Sequence, residues 1–393
     1  MRVAVAGTGA FGRNHLRVYR ELEQAGAGVL LAGAVDPDAG CAAETEERYG
    51  IPVYASVEEL LAEDPHLDAA SVAVPTVHHH AVASALLDAG LSVLVEKPIA
   101  ASLEEADDLV ARAERAGRIL QVGHLERFNP AVLAVQPRLK RPMFFEAHRL
   151  SVFTPRSLDV DVVLDLMIHD LDVVLTFAAS PVREVRAVGL PIVSPKVDIA
   201  NVRVEFESGC VANFTASRVS TERVRKLRFF EPRQYVSIDY ARRDAIVIRI
   251  DETAGAGASP ELAATAAEFL STGRVDPAVV RKLLTGGQVP PALLAQFLAA
   301  KSDPAQLASL AARLAQPAPG PAPGLSFAKP EITPGEPLRL ELESFLESVR
   351  TRKEPRVTGR QGRAALALAL EIQNTMVAHA HRAGLADFFE ASS

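Results

Sequence analysis

The sequence has few of the residues that form disulfide frameworks or soft metal sites. Only two of its 393 residues are cysteine, Cys41 and Cys210, and none is tryptophan. Two cysteines this far apart make no metal-binding or redox motif, and low cysteine usage suits a reducing compartment. We therefore expect a cytoplasmic protein.

Long apolar runs and an excess of basic residues are also missing. No stretch reaches the roughly 18 apolar residues that a transmembrane helix needs, and the opening M-R-V-A-V-A-G is too short to be a signal peptide. The 42 Lys and Arg are outnumbered by 49 Asp and Glu, for a net charge of −7. This balance provides no positive field for nucleic acid or an anionic membrane, so we expect neither as a partner.

The first part of the chain alternates strand and helix patterns. The predicted strands are short, apolar and rich in β-branched residues: Arg2–Ala6, Val29–Val35, Ala69–Val74, Leu91–Val95 and Ile119–Val122. The predicted helices between them are Gly12–Gln24, Ala39–Tyr49, His79–Ala89 and Leu103–Ala116. This alternation is typical of a doubly wound α/β domain with a parallel sheet, which we place at residues 1–125.

From residue 126 the strand patterns alternate apolar and polar residues, as in an antiparallel sheet with one covered face. The predicted strands are Phe144–Leu150, Val182–Gly189, Ala200–Glu207, Cys210–Arg218, Arg225–Phe230 and Gln234–Tyr240, with a hairpin turn at Ser208–Gly209. The predicted helices are 159–178, Leu338–Arg350 and Arg360–Ala383. Residues 126–252 and 329–393 are thus predicted to form an α+β domain with an open-faced, mostly antiparallel sheet and helices on one face.

Residues 253–328 interrupt that second domain with a different composition. They are rich in Ala, Leu and Pro, with short helices predicted at Pro260–Leu270 and Pro290–Ala300. The run P-A-P-G-P-A-P-G at 317–324 predicts a stiff, extended linker. We interpret the whole segment as an insertion.

A dinucleotide-binding motif follows the first predicted strand. The run G-T-G-A-F-G at 7–12 matches GxGxxG and opens the first helix, which is the context that the motif requires. Gly7 allows the tight turn, Gly9 lets a pyrophosphate approach the backbone, and Gly12 allows close packing of helix and strand. Asp36 ends the second strand, where a carboxylate binds both ribose hydroxyls and repels a 2′-phosphate. These residues predict NAD rather than NADP as the cofactor.

A polar stripe lies on the otherwise apolar helix predicted at 159–178. Asp165, His169 and Asp172 are spaced i, i+4 and i+7 and so share one helical face. Buried polar groups either pair internally or face a ligand. Two interpretations follow: a site for acid–base chemistry, or an Asp–His pair that only stabilises the helix.

The triplet His78-His79-His80 is not interpreted as a metal site. Consecutive residues on a helix point about 100° apart, so three in a row do not converge on one ion. No cluster of cysteines or carboxylates lies beside them in sequence, and we expect no metal.

Several motifs together resemble the Gfo/Idh/MocA oxidoreductase family of glucose–fructose oxidoreductase, inositol dehydrogenase and rhizopine-catabolism proteins. They are G-T-G-A-F-G, V-P-T-V-H-H, V-E-K-P, the pair Asp165-x-x-x-His169 and the C-terminal E-P-R-V-T-G-R-Q-G-R-A-A-L. The resemblance implies an NAD-binding Rossmann domain followed by an open-faced sheet domain, which often forms the interface of an oligomer. An antiparallel sheet with one apolar face needs a cover, so we expect a homodimer or homotetramer.

The resemblance also implies roles for individual residues. The expected catalytic residues are Lys97, Asp165 and His169. The expected cofactor-binding residues are Gly7, Thr8, Gly9, Ala10, Phe11, Gly12, Asp36, Pro75, His79, Glu96, Lys97 and Pro98, with a cis peptide bond before Pro98.

The run Q-V-G-H-L-E-R-F-N-P-A-V at 121–132 resembles one branch of the family, which includes UDP-N-acetylglucosamine 3-dehydrogenases. It implies oxidation of a sugar C3 hydroxyl ahead of an aminotransferase, in the biosynthesis of an amino sugar for lipid A. The expected substrate-binding residues are Lys97, Arg127, Asn129, Arg149, Arg156, Asp165 and His169. Arg149 and Arg156 can bind a pyrophosphate, but an interpretation as exposed sheet-edge arginines is equally open.

Oxidation of a secondary alcohol needs a base for the hydroxyl proton and a cation near the developing alkoxide. His169 has the intrinsic pKa of a base, Asp165 can orient its imidazole, and Lys97 can supply the cation. The main hypothesis is therefore an NAD-dependent dehydrogenase of UDP-N-acetylglucosamine. The alternatives are a dehydrogenase of another sugar or polyol, and a non-catalytic NAD-binding regulator that senses sugars.

Overall fold

The computed structural model describes residues 1–154, 160–251 and 324–385. Six parallel strands form its first sheet: β1 (Arg2–Ala6), β2 (Leu30–Val35), β3 (Val53–Tyr54), β4 (Ala69–Val72), β5 (Ser92–Glu96) and β6 (Leu120–Gly123). Five helices connect them: α1 (Gly12–Gln24), α2 (Ala39–Tyr49), α3 (Val57–Glu63), α4 (His79–Asp88) and α5 (Leu103–Ala116). The strand order β3-β2-β1-β4-β5-β6 reverses direction between β1 and β4, as expected for a Rossmann domain.

The first sheet forms because its strands are apolar on both faces. Every residue of β4, β5 and β6 is buried, and both faces carry hydrophobic clusters. The predicted strands and helices of this part lie within two residues of the observed ones, and the expected doubly wound sheet is confirmed. The short strand β3 and the helix α3 were not predicted from the sequence.

Eight strands form the second sheet: β7 (Phe144–Leu150), β8 (Val182–Leu190), β9 (Ile199–Phe206), β10 (Val211–Ser217), β11 (Val224–Glu231), β12 (Gln234–Asp239), β13 (Asp244–Asp251) and β14 (Gly324–Ala328). Their order is β14-β13-β12-β11-β7-β10-β9-β8, and only β7 and β10 pair in parallel. The expected mostly antiparallel sheet is therefore confirmed. The predicted hairpin is the β9–β10 pair, with Gly209 at φ +82° in its turn.

Strands β13 and β14 depart from the sequence interpretation. Residues 244–251 were left unassigned, and 324–328 were counted as the end of an insertion. In the structure, Val247 pairs with Ala328 and Asp251 with Gly324, so β14 continues the sheet at its edge. The predicted helices Pro260–Leu270 and Pro290–Ala300 and the linker residues 317–323 lie outside the described residues.

The described helices of this part pack on one face of the second sheet. The short α6 (Pro130–Val135) precedes the sheet, and α7 (Ile168–Ala178) follows a π-helical turn at Val163–Met167. The helices α8 (Pro337–Thr351) and α9 (Gly359–Arg382) complete the described chain. No helix in the described ranges is both long and apolar enough to cross a membrane.

The last two helices join the two sheets. Helix α8 places Leu338, Leu342 and Phe345 in the core of the first sheet. Helix α9 begins against that sheet, where a Cβ on Gly362 would lie 2.5 Å from Val122, and continues over the second sheet through Ile372 and Met376. Helices α8 and α9 therefore pack at the boundary between the two sheet units. We call this boundary, at the carboxyl edge of the first sheet, the crevice.

Candidate active site

The glycine turn between β1 and α1 fits a dinucleotide phosphate. Gly7 has φ +87°, and a Cβ at this position would lie 2.7 Å from the Ala73 carbonyl oxygen. A Cβ on Gly12 would lie 1.8 Å from the Gly7 carbonyl oxygen, so the helix packs on the strand only with glycine here. Nothing lies within 4 Å of a Cβ on Gly9, which leaves an open approach to the backbone beside the start of α1.

The Asp36 carboxylate lies beside this turn, where a ribose would bind. The Thr8 backbone amide and its hydroxyl each donate to Asp36 Oδ2 over 2.8 Å, and the Asp38 amide donates to Oδ1. The other turn residues, Ala10 and Phe11, are exposed. The arrangement fits the ribose assignment, and the residues of the turn are those expected to hold NAD.

The E-K-P segment ends β5 at the carboxyl edge of the first sheet. Glu96 Oε1 lies 3.0 Å from His15 Nε2, and the peptide bond before Pro98 is cis, as expected. His79 is buried behind the segment, with its ring nitrogens 2.8 Å from the Pro98 carbonyl oxygen and 2.9 Å from that of Val74. His79 therefore holds the Lys97–Pro98 loop in place, whereas the exposed Pro75 remains the candidate for direct nucleotide contact.

Lys97 follows β5 of the first sheet, and His169 lies on α7, which packs on the second sheet; the charge of Lys97 acts on His169 across the crevice. The Lys97 ammonium donates to the backbone carbonyl of Asp165 over 2.8 Å, across the crevice. Burial lowers the pKa of Lys97, which the nearby Asp165 and Glu96 carboxylates only partly offset. Burial, followed by the positive charges of Lys97 and Arg149, holds the pKa of His169 well below its ordinary value. At neutral pH the imidazole is therefore unprotonated and able to accept a proton.

The expected hydrogen bond between Asp165 and His169 is not formed. His169 Nδ1 is buried and has no hydrogen-bond partner, and Asp165 contributes its backbone carbonyl rather than its carboxylate to Lys97. Asp165 lies in the π-helical turn, an irregularity that is frequent at functional sites. The geometry thus brings Lys97 to the helical turn before His169, but it does not show a triad in which the Asp165 carboxylate orients the imidazole.

Arg149 is fully engaged within the protein. Its guanidinium forms two hydrogen bonds with the Asp170 carboxylate, at 2.7 and 3.0 Å, and lies 3.1 Å from Glu126. It also lies over the Tyr240 ring, 5.2 Å from the centroid. These contacts do not favour the expected phosphate-binding role. Arg156, the other arginine expected in that role, lies outside the described residues.

Arg127 and Asn129 are also committed to internal contacts. Arg127 is 2% exposed and binds Asp172, Thr176 and the Arg356 carbonyl oxygen. Asn129 caps α6 by accepting the Ala131 amide and donates to the Tyr240 carbonyl. Both residues join the two sheets behind the crevice, and their contacts support a structural role rather than a ligand-binding one.

A buried polar cluster lies behind Lys97, and sequence reasoning assigned no role to three of its members, His15, His124 and Glu341. We define it as His15, Glu96, His124, Asp172 and Glu341. Glu341 is 0% exposed and neither carboxylate oxygen has a hydrogen-bond partner, nor has either ring nitrogen of His124. Burial, with the negative charges of Glu96 and Asp172 added, raises the pKa of Glu341 well above its ordinary value, so this acid is neutral.

The sequence pattern of α8 could have indicated that Glu341 is buried. It follows Leu338 by three residues and precedes Phe345 by four, so it falls on the apolar face of α8.

Arg225 on β11 is a second residue that sequence reasoning missed. It pairs in register with Arg149 of β7 on the face of the sheet that the helices cover, and its charge lowers the pKa of His169. Its guanidinium has no hydrogen bond or ion pair with any other described residue. Among these residues it is thus an unpaired cation whose charge acts on the candidate base.

Comparisons with known proteins show which family the chain belongs to. The profile described as "Oxidoreductase family, NAD-binding Rossmann fold" matches residues 1–124, and that of the GFO/IDH/MocA C-terminal domain matches residues 132–233. Among curated proteins, UDP-N-acetylglucosamine 3-dehydrogenase of Acidithiobacillus ferrooxidans is 41% identical over 241 residues, which are 61% of this chain and 74% of the relative. The scyllo-inositol 2-dehydrogenase (NAD(+)) of Bacillus subtilis is 27% identical, over 56% of this chain and 68% of the relative.

Solved structures show the same fold. A structure of the Acidithiobacillus ferrooxidans enzyme matches with a TM-score of 0.74 at 30% identity, over 96% of this chain and 98% of the other. A dehydrogenase of Bordetella pertussis in complex with NADH and UDP-GlcNAcA matches with a TM-score of 0.65 at 18% identity, over 95% and 96%. The two profiles span more than half of the chain and its first domain is an NAD-binding Rossmann fold. The protein belongs to the Gfo/Idh/MocA family of NAD-binding oxidoreductases.

Proposed function

We propose that this oxidoreductase is an NAD-dependent dehydrogenase that oxidises the C3 hydroxyl of UDP-N-acetylglucosamine to the 3-keto sugar. The observation that carries the proposal is the meeting of Lys97 with the helix of His169 at the carboxyl edge of the NAD-binding sheet. This edge is where open α/β sheets bind their ligands.

The chemistry follows from the two side chains. When bound, NAD supplies the hydride acceptor. His169, held neutral by burial and by the neighbouring cations, accepts the hydroxyl proton. The Lys97 ammonium is held by the Asp165 carbonyl, and its remaining N–H groups can stabilise negative charge on the substrate oxygen. The low accessibility of both groups strengthens these electrostatic interactions because little water competes with them.

The sugar is proposed from similarity rather than from the geometry of the crevice. The relative that is 41% identical carries this substrate in its name. The role in lipid A or amino-sugar biosynthesis, with a downstream aminotransferase, belongs to the same proposal. A cytoplasmic setting is supported by two free cysteines, one of which is buried.

The test is the appearance of NADH when the protein is mixed with NAD and UDP-N-acetylglucosamine. If equilibrium opposes oxidation, an aminotransferase or a ketone-trapping reagent in the mixture removes the product and draws the reaction forward. If NADH forms only with another sugar or a polyol, that compound replaces UDP-N-acetylglucosamine as the proposed substrate. NAD binding without turnover of any sugar would instead favour a sugar-sensing regulator.

The variant His169→Ala tests the assignment of the base. We expect kcat to fall by about 100- to 10,000-fold, because general-base catalysis is lost, while the Kd for NAD stays unchanged. His66→Ala, which removes an exposed imidazole far from the crevice, is the control and should keep full activity. Retained turnover in His169→Ala would place the base elsewhere.

A further inference from the structure

Arg225 is a half-buried arginine on the face of β11 that the helices cover. Strand β11 alternates its side chains, and Leu227 and Phe229, two and four residues further on, are buried on the helix-covered face. Arg225 shares that face and lies opposite Arg149 in the register of the two strands. It is half-buried, so water only partly solvates its guanidinium.

The anions near Arg225 are already occupied. Asp170 and Glu126 bind Arg149, and Asp172 binds Arg127. The guanidinium of Arg225 has no hydrogen bond or ion pair within the part of the chain that the structure describes. Burial and the repulsion of Arg149 lower the pKa of Arg225, which shows that its surroundings disfavour the charge as they stand.

Other arginines of this region have partners, which makes the contrast informative. Arg228 lies three residues further along the same strand, on the opposite face, and its guanidinium is 3.0 Å from Glu146. A guanidinium that the fold itself leaves unpaired, beside the candidate base, is suited to an anion that arrives with the ligand.

We propose that Arg225 binds the diphosphate of the nucleotide-sugar substrate and so helps to select nucleoside-diphosphate sugars over free sugars. The inference rests on the proposed function. The diphosphate is attached at C1, only two ring bonds from C3, so an anion site must lie close to the base that acts at C3. Arg225 meets this requirement, since it shares the helix-covered face of the second sheet and its charge is near enough to act on His169. The NAD diphosphate is not a competing source, because its glycine turn follows β1, on the other sheet.

The experiment measures UDP binding by isothermal titration calorimetry, with the full chain saturated with NADH. We expect Arg225→Met to weaken UDP about 10- to 100-fold, the loss expected for hydrogen bonds to a charged group. The UDP affinity of Arg225→Lys should lie between those of the wild type and Arg225→Met, because an ammonium keeps the charge but cannot bind a phosphate through two parallel hydrogen bonds. Arg228→Met, the matched control on the same strand, should bind UDP like the wild type.

Two further readouts separate binding from folding. The melting temperature of Arg225→Met should equal or exceed that of the wild type, because the guanidinium has no partner in the fold. With UDP-N-acetylglucosamine as substrate, KM should rise by the same factor while kcat changes little, as expected when binding is lost equally from the ground and transition states.

Each outcome decides something specific. Weaker UDP binding in Arg225→Met with normal binding in Arg228→Met supports the proposal. Equal UDP binding in wild type and Arg225→Met overturns it and leaves the proposed function standing, provided that the wild type turns over UDP-N-acetylglucosamine. A wild type that binds no UDP also overturns it, and a lack of turnover in the same preparation would then remove the proposed function as well.

Discussion

At the scale of single residues, Glu341 is the most costly group near the active site. A carboxyl group with no hydrogen-bond partner in the protein interior loses its interactions with water without replacement. The neutral acid is tolerated because ionising it would add a third negative charge to those of Glu96 and Asp172. Glu341 lies behind Lys97, so this unfavourable burial of a carboxyl group occurs next to the proposed catalytic residues.

The variant Glu341→Gln tests the protonation state of this group. Because its pKa in the folded protein is raised, wild-type Glu341 keeps its proton when folded and releases it on unfolding. Its contribution to stability is full below the pKa of the unfolded residue and is lost as the pH rises toward the folded pKa. The glutamine carries no such proton. We therefore expect the free energy of unfolding of the variant, relative to that of the wild type, to increase by up to about 1.4 kcal/mol for each unit that the pH rises within this range.

The measurement is urea unfolding at about pH 5 and about pH 8, the acidic and alkaline sides of the range in which the effect develops. Glu347→Gln, on the exposed side of the same helix, is the control, and its stability relative to the wild type should not change with pH. A stability difference for Glu341→Gln that stays constant between the two pH values would show that Glu341 is ionised in the folded protein.

Residue types and motif spacing predicted part of the site. Lys97 and His169 were assigned from the family resemblance, supported by the position of Lys97 at a strand end and of His169 in a polar stripe on an apolar helix. The pairing of Arg149 with Asp170 was beyond sequence reasoning, because the two residues meet only after β7 and α7 pack together. The free Arg225 was missed for the same reason, since a lack of partners cannot be recognised before the partners of its neighbours are known.

At the scale of elements, the edge of the second sheet shows where pattern reading succeeds and fails. Five of the six Rossmann strands were predicted well because each is a continuous apolar run next to a helix in the chain, whereas the two-residue β3 was missed. Strand β13 carries the apolar, β-branched run A-I-V-I-R-I that would have allowed its prediction, whereas β14 is only five residues long. Its partner lies more than 70 residues earlier in the chain. Local periodicity contains no information about such a distant pairing.

The register of these two strands allows a precise deletion. Asp251 and Gly324 face each other, so a two-residue Asn-Gly turn can replace residues 252–323 and close a hairpin. We expect the shortened protein to fold and to bind NADH with little change in affinity, because the glycine turn, Asp36 and Lys97 all belong to the first sheet unit. Fluorescence titration with NADH measures this. The matched control deletes 252–328 and so removes β14 as well, which should lower the melting temperature. Loss of NADH binding in the first variant would show that 252–323 contributes to the cofactor site.

At the scale of the whole molecule, one face of the second sheet, which no described helix covers, suggests an assembly. On this outer face the rings of Phe144, Phe230 and Tyr235 form a continuous aromatic stripe, with centroids 5.5 and 5.1 Å apart. Phe230 is 37% exposed. An apolar stripe on an open sheet is typical of an interface between copies of one chain, in line with the expected homodimer or homotetramer.

The variant Phe230→Glu tests this arrangement. A carboxylate in the middle of an apolar interface would be desolvated without a partner, so we expect the variant to sediment as a smaller species than the wild type. Val377→Glu is the control, because Val377 is 42% exposed on α9, which covers the other face of the sheet. A wild type that sediments as a monomer, or a Phe230→Glu variant with unchanged mass, would contradict the expected interface.

The return of α8 and α9 to the first sheet has a consequence for synthesis. Leu342 and Phe345 fill one side of that sheet, and Val357 and Leu366 help to fill the other, although more than 200 residues separate them from β6. While the ribosome is still translating the second sheet, the nucleotide-binding half therefore has apolar surface on both sides that awaits residues not yet made. Its folding on the ribosome is completed only when the segment from 337 to 366 has emerged, so the half that is translated first is among the last to mature.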